Sequence, residues 1–219
     1  MVVNTAEQES TKRKLPVLLF DVMDTLIRDP FYEDMPKFFK LTLKELFAVK
    51  HPTAWIEFET GLISEGELLS KFFKDGRDFD LTGLKDCAYE GYRWIEGCED
   101  LLRRVQEAGY EAHAFTNYPH WYKMIEEKLS LSRYLDWTFV SCHTGRRKPD
   151  LEAFMEAATT LGLEPQDCVF IDDRLKNVEA AQAVGMAGIL FESASSLEVE
   201  LEKLGISLES QPLQPSLPL

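Results

Sequence analysis

The fold is decided by the stretch Val17-Leu18-Leu19-Phe20-Asp21-Val22-Met23-Asp24-Thr25-Leu26, in which an unbroken apolar run ends abruptly at a carboxylate. A short run of this kind is typical of a strand that is buried on both faces of a parallel sheet. Three later segments repeat the pattern and also stop at polar residues: 111–115 before Thr116 and Asn117, 137–140 before Ser141, and 168–171 before Asp172 and Asp173.

Helical patterns separate these strand candidates, and alternation of strand and helix predicts an α/β fold with a parallel sheet. The helices are expected at residues 98–108, 120–129, 151–161 and 177–184. In such sheets ligands bind beyond the carboxyl ends of the strands. The sequence therefore predicts one site that contains Asp21, Thr116, Asn117, Asp172 and Asp173.

About ninety residues lie between Asp21 and the second strand candidate, far more than a crossover connection needs. Their helical pattern and aromatic content predict an inserted cap, with helices near residues 36–49, 53–60, 64–74 and 81–94. We therefore expect a core of residues 15–27 and 98–206, a cap of residues 28–97, and disordered ends at residues 1–14 and 207–219.

Composition excludes several classes of partner. Lys and Arg total 24 against 38 Asp and Glu, a formal net charge of −14, which disfavours binding to nucleic acid. Charges interrupt every apolar stretch before the roughly 20 residues that a bilayer span needs, so no membrane association is expected. The four cysteines form no Cys-x-x-Cys pair and are expected to be reduced thiols in an intracellular compartment. The sequence does not predict the oligomeric state.

Four fragments taken together resemble the motifs of the haloacid dehalogenase-like (HAD) hydrolase superfamily. They are Phe20-Asp21-Val22-Met23-Asp24-Thr25-Leu26, Thr116-Asn117, Arg147-Lys148-Pro149-Asp150 and Ile171-Asp172-Asp173, and they occur in the order of the superfamily. The resemblance implies a Rossmann-like three-layer α/β sandwich with a parallel sheet and a helical cap of the first type (C1). It also implies that Asp21 is the nucleophile and that Mg²⁺ is held by Asp21, the Met23 carbonyl, Asp172 and Asp173.

The charges of these residues suit a phosphatase that works through an aspartyl-phosphate. A carboxylate that attacks a phosphate ester must overcome repulsion between two anions, so a cation and fixed donors are needed. Lys148 would balance the negative charge, and Thr116 and Asn117 would donate hydrogen bonds to the phosphoryl oxygens.

One position departs from the pattern of HAD phosphatases, which place a second Asp two residues after the nucleophile as general acid. Met23 stands there and cannot move a proton. We hypothesise that Asp24 or a bound water replaces that acid, and the alternative is that Asp24 only braces the turn. Dehalogenases of the superfamily also lack the second Asp, but they generally lack the acidic pair that Asp172 and Asp173 provide, which favours a phosphatase.

The Asp-x-Met-Asp-Thr of the first motif, together with residues 28–32, 55–59, 75–81 and 113–119, carries a closer resemblance. It is to plant chloroplast hydrolases of flavin mononucleotide (FMN), which share the Met at this position. It implies hydrolysis of FMN to riboflavin and phosphate, and a location in the chloroplast stroma, although residues 1–14 do not form a complete transit peptide and a cytoplasmic location is the alternative. Aromatic residues that could stack on the isoalloxazine ring are Phe31, Tyr32, Trp55, Phe58 and Tyr118, with Trp55 and Tyr32 chosen as substrate-binding residues. Two alternatives stay open: a phosphatase for a sugar phosphate or nucleotide, and a non-catalytic protein that binds flavin or phosphate.

Overall fold

A computed structural model describes residues 13–209 and shows a parallel sheet of five strands within this range. The strand order is β3-β2-β1-β4-β5, and β1 pairs in parallel with both β2 and β4. The strands are β1 (Val17–Phe20), β2 (Ala112–Thr116), β3 (Asp136–Val140), β4 (Cys168–Asp172) and β5 (Ala187–Leu190). The predicted α/β class with a parallel sheet is confirmed.

Helices cover both faces of the sheet. The α-helices of the described residues are α1 (Asp34–Phe38), α2 (Leu43–Val49), α3 (Ala54–Glu59), α4 (Glu65–Lys71), α5 (Leu81–Gly91), α6 (Cys98–Glu107), α7 (Tyr122–Leu129), α8 (Ser141–Thr144), α9 (Leu151–Leu161), α10 (Leu175–Ala183) and α11 (Ala194–Lys203). On one face α6, α7 and α11 pack against the sheet, and on the other face α9 and α10 do so. These are the three layers of the expected sandwich.

The central strand β1 explains why the apolar run Val17–Phe20 is unbroken. Leu18 and Phe20 belong to the core on one face of the sheet, and Val17 and Leu19 belong to the core on the other face. All four residues are fully buried. Because β1 has a neighbour on each side and a helical layer on each face, no position along it can be polar until the strand ends at Asp21.

Helices α1–α5 all lie between β1 and α6 in the chain, so the long insertion is helical as expected. One helix predicted at residues 36–49 is in fact the two helices α1 and α2. The chain turns between them at Lys40, whose φ of 56° is incompatible with a continuous right-handed helix. The boundaries chosen for core and cap stay a prediction.

Strand β5 and helix α11 lie within residues 98–206, the range predicted for the core, but β5 was not predicted as a strand. Gly188 interrupts the apolar pattern of β5, and a Cβ at this position would lie 2.9 Å from a methyl group of Val178. The glycine therefore allows α10 to pack closely on β5.

The predicted disordered ends lie mostly outside the described residues. Within the described range, Arg13 forms an ion pair with Glu111 at 2.6 Å, and Leu208 is buried. The four cysteines are free thiols. Among residues 13–209 there is no helix whose length and apolar character would let it span a bilayer.

Lys40 gives a direct test of the turn between α1 and α2. Because Lys40 is exposed and has positive φ, Lys40→Gly should raise the free energy of unfolding by about 0.5–1 kcal/mol. The matched change Lys37→Gly, at an exposed position inside α1, should lower it by a similar amount. Urea denaturation of the two variants measures both effects, and a loss of stability in Lys40→Gly would contradict the turn geometry.

Candidate active site

A cavity of about 290 Å³ opens at the carboxyl ends of β1, β2 and β4. Its lining includes Asp21, Met23, Thr116, Asn117 and Lys148 from the core side. Residues of the insertion line the opposite side. The parallel strands therefore bring together side chains that are far apart in the sequence, as expected for a sheet of this topology.

Lys148 lies at the centre of the site, where its Nζ atom donates hydrogen bonds of 2.7 Å to both Asp21 Oδ1 and Asp172 Oδ2. The side chain of Lys148 is only 2% exposed and that of Asp172 is fully buried. Burial lowers the pKa of Lys148, but the two carboxylates outweigh this effect and hold the pKa above its usual value. The lysine therefore stays charged and joins β1 to β4 across their carboxyl ends.

The three carboxylates carry more negative charge than Lys148 can balance. Asp21, Asp172 and Asp173 each have a carboxylate oxygen within 4.8 Å of the others. Burial raises the pKa of Asp21 to about 7, a rise to which Asp172 and Asp173 add and which Lys148 opposes. Burial and the neighbouring Asp172 raise the pKa of Asp173 to about 6. The carboxylates of this cluster repel one another, and a bound cation would reduce that repulsion.

The donor set fits a hard divalent cation such as Mg²⁺, which prefers oxygen ligands. Asp173 Oδ1 is buried and has no hydrogen-bond partner among residues 13–209. Asp172 differs, because its oxygens already accept hydrogen bonds from Lys148, the Arg174 backbone N–H and the Asn177 side chain. Within the acidic pair, Asp173 is thus the residue with a carboxylate oxygen that could bind a cation.

Thr116 is the last residue of β2 and Asn117 follows it, and both line the cavity together with Asp21. Thr116 Oγ1 is buried and unpartnered within the described part of the chain, so it can bond an atom that enters the cavity. The Asn117 amide is used differently from the expected contact with substrate: it donates to the Lys148 carbonyl at 2.8 Å and accepts from the Lys148 N–H at 2.9 Å. Its side chain therefore positions the lysine.

Asp24 is held in the turn after β1. Its φ is 57°, and its Oδ1 accepts a hydrogen bond of 2.9 Å from the Asp29 backbone N–H. Asp24 is not among the residues that line the cavity, whereas Met23 is. This placement favours the interpretation that Asp24 braces the turn over the hypothesis that it donates a proton.

Asp29 is a cavity residue that no sequence motif indicated. Its Oδ1 accepts a hydrogen bond of 2.8 Å from the Phe31 N–H, and the residue lines the cavity together with Asp21. Burial raises the pKa of the Asp29 carboxyl to about 7, although the Phe31 N–H opposes the rise. A lone Asp before Pro30 reads as a turn residue in the sequence, because only the folded insertion buries it.

Aromatic side chains form the wall of the cavity opposite the carboxylates. Tyr32 and Trp55, the two residues predicted to bind substrate, both line it, as do Phe31, Phe47 and Tyr118. The rings of Phe31 and Trp55 lie 5.7 Å apart. Phe58 does not line the cavity, because it is buried in the core against Trp121. The rings are tilted to one another, by 48° in the Phe31–Trp55 pair, and their apolar faces and edges offer a surface on which a ring system could pack.

The insertion also contributes charge to the cavity, which periodicity in the sequence cannot reveal. Glu59 of α3 accepts hydrogen bonds from Arg147 Nε and Nη2 at 3.0 and 2.6 Å, next to Lys148. Arg174 donates to the Tyr32 hydroxyl at 2.8 Å. Glu59, Arg147 and Arg174 all line the cavity.

The insertion is fixed to the core beside these charges. The Ser141 hydroxyl accepts from the Tyr118 N–H at 2.9 Å and donates to the backbone carbonyl of Glu59. At Gly61, where φ is 72°, a Cβ atom would lie 2.6 Å from the Cys142 carbonyl oxygen. Only glycine allows the end of α3 to approach α8 this closely.

Comparison with known proteins identifies the family. The family model of haloacid dehalogenase-like hydrolases matches residues 15–185, which include every motif residue of the site. The chain belongs to this family. A protein of Arabidopsis thaliana named flavin mononucleotide hydrolase 1 of the chloroplast is 55% identical over 205 residues, which are 94% of this chain and 84% of that protein.

Two further similar proteins show how far the similarity extends. A sesquiterpene phosphatase of Aspergillus oryzae is 29% identical over 75% of this chain and 86% of its own length. A HAD enzyme of Bacteroides thetaiotaomicron, crystallised with magnesium and inorganic phosphate, superposes with a TM-score of 0.65 at 20% identity, over 82% of this chain and 96% of that one. The latter similarity shows the shared fold.

Removal of the central lysine should destabilise the protein. Lys148→Met leaves Asp21 and Asp172 buried without their common cation, so the free energy of unfolding in EDTA at neutral pH should fall by about 3 kcal/mol. The control Lys176→Met, at an exposed position of α10, should change it by less than about 0.5 kcal/mol. Equal stability of the two variants in guanidinium denaturation would contradict the role given to Lys148.

Proposed function

We propose that this protein is a Mg²⁺-dependent phosphatase that hydrolyses FMN to riboflavin and phosphate through an aspartyl-phosphate on Asp21. The observation that carries the proposal is the buried Asp21 carboxylate, held by Lys148 and surrounded by the polar motif residues of a hydrolase family. The relative named for FMN hydrolysis, 55% identical over 94% of the chain, supports the choice of substrate. Its name also supports the chloroplast as the compartment in which the protein acts.

Asp21, Asp173 and Asp172, with the Met23 carbonyl, are the groups that would hold Mg²⁺. The ion, when bound, would supply positive charge that offsets the repulsion between the phosphate ester and the acidic cluster. The three carboxylates lie within 4.8 Å of one another, and Asp173 Oδ1 has no partner in the described part of the chain. Both features support a cation site.

Asp21 attacks the phosphorus atom of the ester in this mechanism, the P–O bond to the alcohol breaks, and the alcohol leaves. Lys148 fixes the orientation of the carboxylate and balances its charge, with its own position set by the two hydrogen bonds to Asn117. The Thr116 hydroxyl, which has no hydrogen-bond partner among residues 13–209, donates to a phosphoryl oxygen. Water then attacks the aspartyl-phosphate, which releases phosphate and restores Asp21.

The leaving alkoxide of FMN needs a proton, and we assign its donation to Asp29. Asp29 lines the same cavity as Asp21, while Asp24 is bonded to the backbone of the turn. One Asp29 oxygen is held by the Phe31 N–H, and no described residue bonds the other. The raised pKa of this carboxyl keeps a fraction of it protonated near neutral pH, as a general acid requires.

The aromatic wall supports a flat, apolar group as the remainder of the substrate. Phe31, Tyr32 and Trp55 would pack against the isoalloxazine ring, and the Arg174–Tyr32 hydrogen bond would keep Tyr32 in place. A sugar phosphate would leave this apolar surface in contact with water. The wall therefore favours FMN over small polar esters.

The first test is phosphate release from FMN. Wild-type protein with Mg²⁺ should release phosphate and riboflavin, and both EDTA and Asp21→Asn should reduce the rate at least about 10³-fold because they remove the cation or the nucleophile. Flavin binding by wild type can be followed in parallel by fluorescence. A preference for sugar phosphates or nucleotides over FMN would contradict the choice of FMN as substrate. FMN binding without phosphate release at any Mg²⁺ concentration would contradict the enzymatic function and favour a binding protein.

The role of Asp29 is tested by varying the leaving group. Asp29→Asn should reduce kcat for FMN by about 10²-fold or more, because an alkoxide leaves poorly without a proton, and should reduce kcat for p-nitrophenyl phosphate far less. Asp24→Asn should give equal and smaller losses on the two esters, because Asp24 only supports the turn. The assignment to Asp29 is wrong if Asp29→Asn slows both esters equally.

The aromatic wall is tested through KM. Trp55→Ala should raise KM for FMN by about ten-fold, through loss of ring packing, with KM for p-nitrophenyl phosphate nearly unchanged. Trp137→Ala removes a tryptophan that does not line the cavity and serves as the control. Steady-state kinetics with both esters measure the effect, and an unchanged KM for FMN in Trp55→Ala would show that the ring packs elsewhere.

A further inference from the structure

Two histidines and a cysteine meet on the core side of the molecule, apart from the acidic cluster. His120 precedes α7, while Cys142 and His143 lie in α8. One side-chain nitrogen or sulfur atom of each residue lies within 4.8 Å of the corresponding atoms of the other two. The proposed phosphatase mechanism uses none of the three residues.

The geometry of this cluster is that of an ion site. Cys142 Sγ and His120 Nδ1 are 3.6 Å apart, which is about the edge of a tetrahedron built from Zn–S and Zn–N bonds of about 2.3 and 2.0 Å. The two histidine rings lie 5.0 Å apart at 70° to each other. Tyr122 OH bonds His143 Nε2 at 3.1 Å, which orients this ring and leaves its Nδ1 atom for an ion.

Access to the three donors also suits a metal. His120 and His143 are exposed and Cys142 is half-buried, so an ion can reach all three donors. Because the thiolate is the form of cysteine that binds metals, ion binding would displace the Cys142 proton to solvent.

We propose that His120, Cys142 and His143 bind one thiophilic divalent ion, with Zn²⁺ as the best fit and water in the fourth position. Sulfur and imidazole donors select such ions, whereas the oxygen donors of Asp21, Asp172 and Asp173 select Mg²⁺. The protein would thus hold two metal sites of different chemistry. A bound ion would join the segment before α7 to α8, next to the Ser141 contact that fixes the insertion.

Cobalt gives a probe of this site that does not depend on phosphatase activity. Co²⁺ added to the purified full chain should produce a thiolate-to-cobalt charge-transfer band that saturates at one equivalent and disappears when Zn²⁺ is added. Excess Mg²⁺ should leave the band unchanged. The band should be absent in Cys142→Ser, and His143→Gln, a change at an exposed position, should weaken Zn²⁺ binding at least about ten-fold.

Two controls separate this site from other thiols and from the acidic cluster. Cys87→Ser removes another half-buried cysteine, and Asp21→Asn removes a carboxylate of the acidic cluster; both variants should keep the band. Zn²⁺ should also raise Tm in wild type but not in Cys142→Ser. The site does not exist if no band forms, if the band survives Cys142→Ser, or if Mg²⁺ or Asp21→Asn abolishes it.

Discussion

The arrangement of the site depends on the buried Lys148 ammonium, which holds the carboxylates of Asp21 and Asp172 at 2.7 Å on either side. Without it, two adjacent parallel strands would end in carboxylates that repel each other in a medium of low dielectric constant. Asn117 fixes the lysine through both ends of its amide. A single cation thus makes it possible to bury two carboxylates, Asp21 and Asp172. The excess negative charge that remains, with the half-buried Asp173 beside them, explains why the site suits a divalent ion.

The sequence predicted the core of this site because its signals are local. A buried strand in the middle of a parallel sheet must be apolar, and polar residues become possible only where the strand ends at the edge of the sheet. Asp21, Thr116 and Asp172 therefore mark the carboxyl ends of β1, β2 and β4. The strand β5 escaped prediction because Gly188, needed for close packing of α10, breaks its apolar pattern. The break between α1 and α2 was not predicted, because Lys40 adopts a positive φ and no glycine or proline marks the turn in the sequence.

The side of the cavity formed by the insertion could be predicted only in outline. The number of aromatic residues suggested a wall, but which rings face the cavity depends on how helices pack, so Phe58 is in the core while Phe47 lines the cavity. The pair Glu59–Arg147 joins residues 88 positions apart in the chain, and no periodicity reveals it. No sequence pattern reveals Asp29 as an acid either. Its pKa is raised by burial, and this burial arises only when the insertion folds.

We propose above all that Asp21 is the nucleophile that accepts the phosphoryl group, in a site assembled by Lys148. Beryllium trifluoride, which mimics a phosphoryl group on a carboxylate, tests this claim at equilibrium. In the presence of Mg²⁺, fluorine NMR of wild-type protein should show resonances of a bound adduct that vanish in Asp21→Asn and persist in Asp24→Asn. Bound resonances that survive Asp21→Asn, or their absence from wild type, would contradict the assignment of Asp21 as nucleophile.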